Sequence, residues 1–255
     1  MSYLAAAMIV CAAAIAGGFA SFAVGRRLAI ESRRRHQEVG FQVFQQVGVM
    51  FAVLLAFVFS EVWGEYNTAA QAINGECGAL HGASILANAL PNATGRPVNQ
   101  AIAAYVITVV NTEWPMMAQR RRSPQAAQAF RVALDTAARL PVTQPADVAI
   151  RGQVVSLLTV AHANRETRTF QIDRALPTAM WAVLISLAVV LEAFVLFSGT
   201  EKLAHFVFTS AFAGCAVLIL VLVRMLDFPF EGALTLPNTD FVKLLGEVTD
   251  MLAGR

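Results

Sequence analysis

The residues best able to do chemistry in this 255-residue chain lie inside apolar sequence. Glu192 stands in Ala188-Val189-Val190-Leu191-Glu192-Ala193-Phe194. An ionisable side chain facing lipid at such a position costs at least about 2.5 kcal/mol, so Glu192 must face a bundle interior or water. Gln42, Gln45 and Gln46 fall at i, i+3 and i+4, one face of a helix. Phe51, Leu54, Leu55 and Phe57 follow in the same apolar stretch. At about 1.5 Å per residue, Glu192 lies about 9 Å from the Ser198 end of its segment, and Gln45 and Gln46 lie at a similar depth in theirs. One reading is a ring of glutamine and glutamate around a polar cavity. The other is a neutral glutamic acid, with glutamines bonding across neighbouring helices.

Further polar candidates sit at the ends of apolar segments. Glu61 and Glu65 follow one, and Arg224 and Asp227 close another. Interfacial ion pairs or a snorkelling arginine are the default for such positions, with gating the alternative. Glu76, Cys77 and His81 fall within about one helical turn, but a second ligand cluster is missing, so a shared helix face is the better reading and no metal site is expected. No nucleophile motif and no glycine-rich phosphate loop accompanies them. The chain is therefore not expected to be an enzyme or to carry a cofactor.

The elements that must position these residues follow from composition. The chain is 57% hydrophobic and 14% charged, against about 25% charged in soluble domains. Four stretches carry almost no charge: 1–25, 39–60, 175–198 and 203–223. About 20 apolar residues cross a bilayer, so each is long enough to span. A soluble enzyme, a secreted disulfide scaffold and a nucleic-acid-binding domain are excluded as whole-chain readings. A net charge of +2 implies no polyanionic partner. The expected architecture is all-α and multi-pass, with residues 1–63 holding two spans and an arginine-rich loop. Residues 64–174 form a helical domain outside the membrane, 175–226 a transmembrane hairpin, and 227–255 a C-terminal tail.

In the central segment, Ile150, Val154, Leu157, Leu158 and Ala161 recur at helical spacing. Prolines at 91, 97, 115, 124, 141 and 145 mark its breaks. Polar faces on spans two and three are hard to hide with only four helices, so a homo-oligomer around an axis is expected. Its partners are then the bilayer, further copies of itself and small ions, with no nucleic acid. Five arginines in the loop 26–39, with Lys202 in the hairpin loop, favour those loops in the cytoplasm and residues 64–174 outside. Cys77 is the lone cysteine of that domain and a natural reporter of its sidedness.

Particular residues also carry a resemblance. The run Gly48–Val58, then Val62-Trp63, Glu76 with Ala79-Leu80, and Glu113-Trp114-Pro115 are similar to the bacterial bestrophin-like family. So are Leu176-Pro177 with Trp181, and Leu226-Asp227-Phe228-Pro229-Phe230-Glu231-Gly232. The resemblance runs from about Arg26 to Gly232. It implies kinship with pentameric ion channels that have four membrane helices and a helical domain between the two pairs. It implies a bacterial inner-membrane protein whose apolar rings, here Phe51, Leu54, Leu55 and Phe57, form a neck for anions. A ring of Glu192 would instead favour cations. The resemblance also places the helical domain in the cytoplasm, opposite to the arginine count. The leading expectation is a channel along an oligomer axis. The alternative is a non-conducting membrane sensor or scaffold whose helical domain binds a ligand or partner protein.

Overall fold

Long uninterrupted runs of Ala, Val, Leu and Phe, free of proline, give the chain its longest helices. In the computed structural model, which describes residues 1–27, 37–198 and 201–254, these are α1 (Tyr3–Arg27), α2 (Gln37–Asn88), α7 (Thr178–Leu196) and α8 (Lys202–Leu226). Each holds a stretch long and apolar enough to cross a membrane. Between α2 and α7 come α3 (Arg96–Thr108), the short α4 (Trp114–Met117), α5 (Pro124–Ala138) and α6 (Pro145–Phe170). The tail forms α9 (Thr239–Ala253). Among the described residues every regular element is helical, as the sequence requires. Most of the arginine-rich loop lies outside the described residues.

The chain divides into two compact units. The first comprises Met1–Gly64 and Ala175–Asp227. In it α1 packs mainly on α8 through small residues, because Gly17, Gly18 and Ser21 are the buried positions of α1. The fit is close. A Cβ at Gly18 would lie 2.5 Å from both the Phe206 ring and Ser210 Oγ, and one at Gly17 would lie 2.9 Å from Ala213 Cβ. Without a hydrophobic drive between helices in lipid, such close backbone approach is what holds membrane helices together. Helix α2 meets α7 and α8 through Phe44, whose ring lies 6.4 Å from Phe194 and 6.2 Å from Phe212.

The second unit comprises Glu65–Arg174 and Phe228–Arg255. Its core is built from the distal half of α2 with α3, α5, α6 and α9. Proline opens α5 and α6, where a missing N–H costs nothing. Ser123 caps α5 by accepting from the Ala126 N–H at 3.2 Å. Gly95 lets the α3 start press against the end of α2, since a Cβ there would meet the Ala87 carbonyl oxygen at 1.8 Å. The tail belongs to this unit: α9 buries Phe241, Leu244 and Val248 and packs against α3.

Between α3 and α4 the backbone widens to a π-turn over Val109–Glu113, with the Trp114 N–H bonded to the Val109 carbonyl. Pro115 supplies the cause. Its ring would clash with the carbonyl four residues earlier and it donates no hydrogen bond, so the helix accommodates it by an extra residue in the preceding turn.

Candidate functional site

In the first unit, the 37–64 portion of α2 presents two opposed stripes. Phe44, Gly48, Phe51, Leu55, Val58 and Val62 share one face, and it is covered by the chain's own helices: Val58 and Val62 are almost fully buried, and Gly48 faces Leu191. Half a turn away lie Gln42, Gln46, Val49, Val53, Phe57 and Ser60, all exposed, with Val49 62%, Val53 51% and Phe57 70% accessible. Gln45 is exposed beside this stripe. The open stripe is polar at the glutamine end, apolar in the middle and small and polar at Ser60-Gly64. It runs about 33 Å at 1.5 Å per residue, a bilayer's hydrocarbon thickness.

This geometry sorts the expected lining residues. Gln42, Gln45, Gln46 and Phe57 are free to face another copy. Phe51 is buried within its own chain and Leu54 and Leu55 are half-buried, whereas Val49, Val53 and Phe57 are exposed. The apolar run alone carries no azimuth, and packing on α7 decides it.

Glu192 is also redirected. Its Oε1 lies 3.0 Å from where a Gly17 Cβ would be, a point 3.1 Å from the Thr209 carbonyl oxygen. It therefore faces α1 and α8, whereas Gln45 and Gln46 are exposed on α2. Direction around the helix is set by packing against α1 and α8, which residue spacing does not carry. Of the segment-end candidates, Glu65 pairs with Arg174 at 2.9 Å in the second unit. Asp227 accepts from the Leu176 N–H at 2.9 Å in the first, tying the end of α8 to the approach to α7. Glu61 is exposed and Arg224 half-buried.

The second unit holds a charge network that the sequence reading did not assemble. Arg168, fully buried, donates from Nε to Glu76 Oε2 at 2.8 Å and from Nη2 to Glu113 Oε2 at 2.8 Å. Its remaining donor, Nη1, reaches Met117 Sδ at 2.9 Å. Arg165 Nη2 donates to the other Glu113 oxygen at 2.6 Å, and the Tyr105 hydroxyl donates to Glu76 Oε1. Burial opposes the Arg168 charge, but Glu76, Tyr105 and Glu113 outweigh it and hold the guanidinium well above its ordinary pKa. Burial, then Glu76, pushes the Tyr105 phenol well up, so it remains a donor. The two buried glutamates balance the two arginines, Arg165 also reaches the exposed Glu166 at 3.2 Å, and the buried carboxylates are saturated by donors rather than open to a ligand.

The motif residues gather around this network. Trp114 packs edge-on to Phe230 at 5.8 Å and donates from Nε1 to the Leu236 carbonyl at 3.3 Å. Pro229 is buried and its carbonyl accepts from the Leu236 N–H at 2.8 Å. Gly232 adopts φ of 87°, a left-handed turn that favours glycine. Cys77 is buried and burial, then Glu76 and Asp240, pushes its thiol above the ordinary range, so it is a poor native-state reporter of sidedness. It forms no metal cluster with His81: among the described residues no group of metal-binding side chains assembles, and His81 instead lies 3.7 Å from Glu247.

Four membrane-length helices and a helical unit pinned by a buried arginine–glutamate network define an all-helical multi-pass membrane protein. The bestrophin-like domain model matches residues 12–241, and the chain belongs to the bestrophin-like family. It is similar in fold to a bacterial bestrophin homologue from Klebsiella pneumoniae. One crystal structure of that homologue gives a TM-score of 0.76 at 14% identity, covering 96% of this chain and 99% of that one. A second gives 0.74 at 14%, covering 94% and 97%. A crystal structure described as that of a membrane protein matches at 0.76 and 14%, covering 95% and 98%. At such identity the likeness is one of fold. No curated protein matches the sequence.

Proposed function

We propose that this protein is an ion channel whose pathway runs along the axis of a homo-oligomer, lined by the open stripe of α2. One observation carries the reading: a bilayer-length stripe, left uncovered by its own chain, has amides at one end and an apolar middle at Val49, Val53 and Phe57. Lipid alone would not call for Gln42, Gln45 and Gln46 there, whereas copies arranged around an axis give them water or each other. Apolar rings of this kind restrict flow by dewetting. Kinship with the bestrophin-like family supports the same reading, and five copies follow from it.

Reconstitution of the purified protein into liposomes with an ion-flux assay tests the proposal. Phe57→Ala widens and wets the neck and should raise flux, while Phe51→Ala should act only through stability. Absence of flux in wild type and in Phe57→Ala, from protein shown to be oligomeric, would favour the sensor or scaffold reading. Sidedness, with the loop 26–39 in the cytoplasm by Lys/Arg count, is tested with an exposed reporter. Gln128→Cys in a Cys77→Ser background should react with an impermeant thiol reagent on intact cells. Reaction only after lysis gives the opposite orientation.

A further inference from the structure

Glu192 is the one acidic residue of α7 and α8, and the α2 stripe leaves it unused. Both of its carboxyl oxygens are inaccessible and have no hydrogen-bond partner. Ser210 Oγ shares that condition. The two groups face the same glycine pair on α1: Glu192 Oε1 lies 3.0 Å from the Cβ position of Gly17, and Ser210 Oγ lies 2.5 Å from that of Gly18. The Thr209 carbonyl oxygen, 3.1 Å from the Gly17 Cβ position, completes the polar surface of this space.

We propose that the buried carboxyl of Glu192, where α7 meets α1 and α8, is an intramembrane proton-binding site, with Glu192 carrying the proton. An unpartnered anion in an apolar interior is among the costliest arrangements a protein can hold, and the neutral acid removes that cost. The bound proton also turns Glu192 from an acceptor into a donor. The Thr209 carbonyl oxygen, which flanks the same Gly17 Cβ position as Glu192 Oε1, is the acceptor on that side.

Among the described residues the surroundings supply no competing countercharge. Helix α1 carries no ionisable side chain near Gly17, and α2 offers Phe44 and Gly48 toward α7. On α8 the titratable groups flanking Thr209 and Ala213 are Cys215 and His205, and His205 Nε2 is engaged by the carbonyl oxygens of Val195 and Leu196 at 3.3 and 3.0 Å. The Thr209 hydroxyl is likewise engaged, donating to the His205 carbonyl at 2.6 Å. A hard metal cation takes about six to eight oxygens, more than this space offers, so the proton is the ligand of choice. The site is separate from the α2 stripe, and its test bears on Glu192 whether or not the protein conducts.

Infrared spectra of the full-length protein in liposomes, taken as wild type minus Glu192→Gln at neutral pH, read the occupant directly. The expected result is a protonated-carboxyl C=O band that shifts in D2O, vanishes completely in the variant and is indifferent to added sodium or potassium. A carboxylate band pair in its place would overturn the proposal. Loss of the C=O band on adding sodium would overturn it as well, by showing a cation as the occupant. Should Glu192→Gln fail to assemble, Glu192→Asp keeps a carboxyl at the site, and its difference spectrum against wild type reads the same C=O band as a shifted pair, with the same two refuting outcomes.

Discussion

Replacing Arg168 by methionine removes a guanidinium of similar length from the centre of the second unit while keeping apolar bulk. Four contacts are lost: Nε and Nη2 to Glu76 at 2.8 and 3.3 Å, Nη2 to Glu113 at 2.8 Å, and Nη1 to Met117. The two carboxylates are left unequal. Glu113 keeps Arg165 at 2.6 Å, whereas Glu76 keeps only the Tyr105 hydroxyl, at complete burial. Breaking a buried pair on one side costs about 3–5 kcal/mol, mostly the penalty of the abandoned charge. Glu76→Gln removes that charge, so the double variant should regain most of the loss and stay about 1–2 kcal/mol below wild type for the hydrogen bonds forgone. Cys77, next to Glu76 and buried, reports the opening of this unit through maleimide labelling, read by peptide mass spectrometry to separate it from Cys11 and Cys215. At about 1.4 kcal/mol per tenfold, Arg168→Met should label roughly 100- to 4000-fold faster than wild type, and the double variant only roughly 5- to 30-fold faster. Acceleration below fivefold in Arg168→Met, or a double variant as fast as the single one, would refute the account of Glu76 as a charge that Arg168 neutralises.

Tyr105→Phe removes one donor to a buried carboxylate and should cost about 1.5–3 kcal/mol in the same labelling assay. Gly95→Ala forces a Cβ into the Ala87 carbonyl and should lower the thermal midpoint by more than a typical surface change, with Gly78→Ala as the contrast. Gly78 lies mid-helix in α2 with open space around it, so alanine there should stabilise by about 0.5–1 kcal/mol; destabilisation or loss of assembly, seen by native mass spectrometry, would reveal a second copy packed on that face. Gly18→Leu should unseat α1 from Phe206 and Ser210 and reduce the yield of folded protein on size-exclusion chromatography, whereas Gly25→Leu, in open space, should not.

The spans were legible because twenty apolar residues have few other fates, and the motif glutamates Glu76 and Glu113 were legible through family resemblance. The arginines that complete their site, Arg165 and Arg168, lie on the same kind of pattern. Val154, Leu158 and Ala161 continue at the same three- and four-residue spacing to Arg165 and Arg168, so α6 carries its buried face straight into two cations. Ala69, Ile73, Glu76, Leu80 and Ala83 repeat the signal on α2. A charge on the apolar phase of a helix is the mark of a buried partner, and pairing two such faces would have joined Glu76 to Arg168 from sequence. What no period could show is the π-turn that swings Glu113 inward, or the side of α7 that Glu192 takes. The first is set locally by Pro115, and the second by which helices are adjacent.

The glycine pair of α1 has a consequence for how the chain is made. Its contacts, Phe206, Ser210 and Ala213, emerge about 190 residues later, which at roughly 5–20 residues per second is about 10–40 s of synthesis. For that interval the first helix waits in the bilayer without the surface it is shaped to fit. It is equipped to wait: Ser21 Oγ donates to the Gly18 carbonyl at 2.7 Å, so its buried hydroxyl needs no other helix and leaves no open polar group in lipid. Closure of the first unit is thus the last event of its biogenesis, joining the first span to the last. A chain cut short before α8 would strand α1 with its most complementary face bare to the membrane.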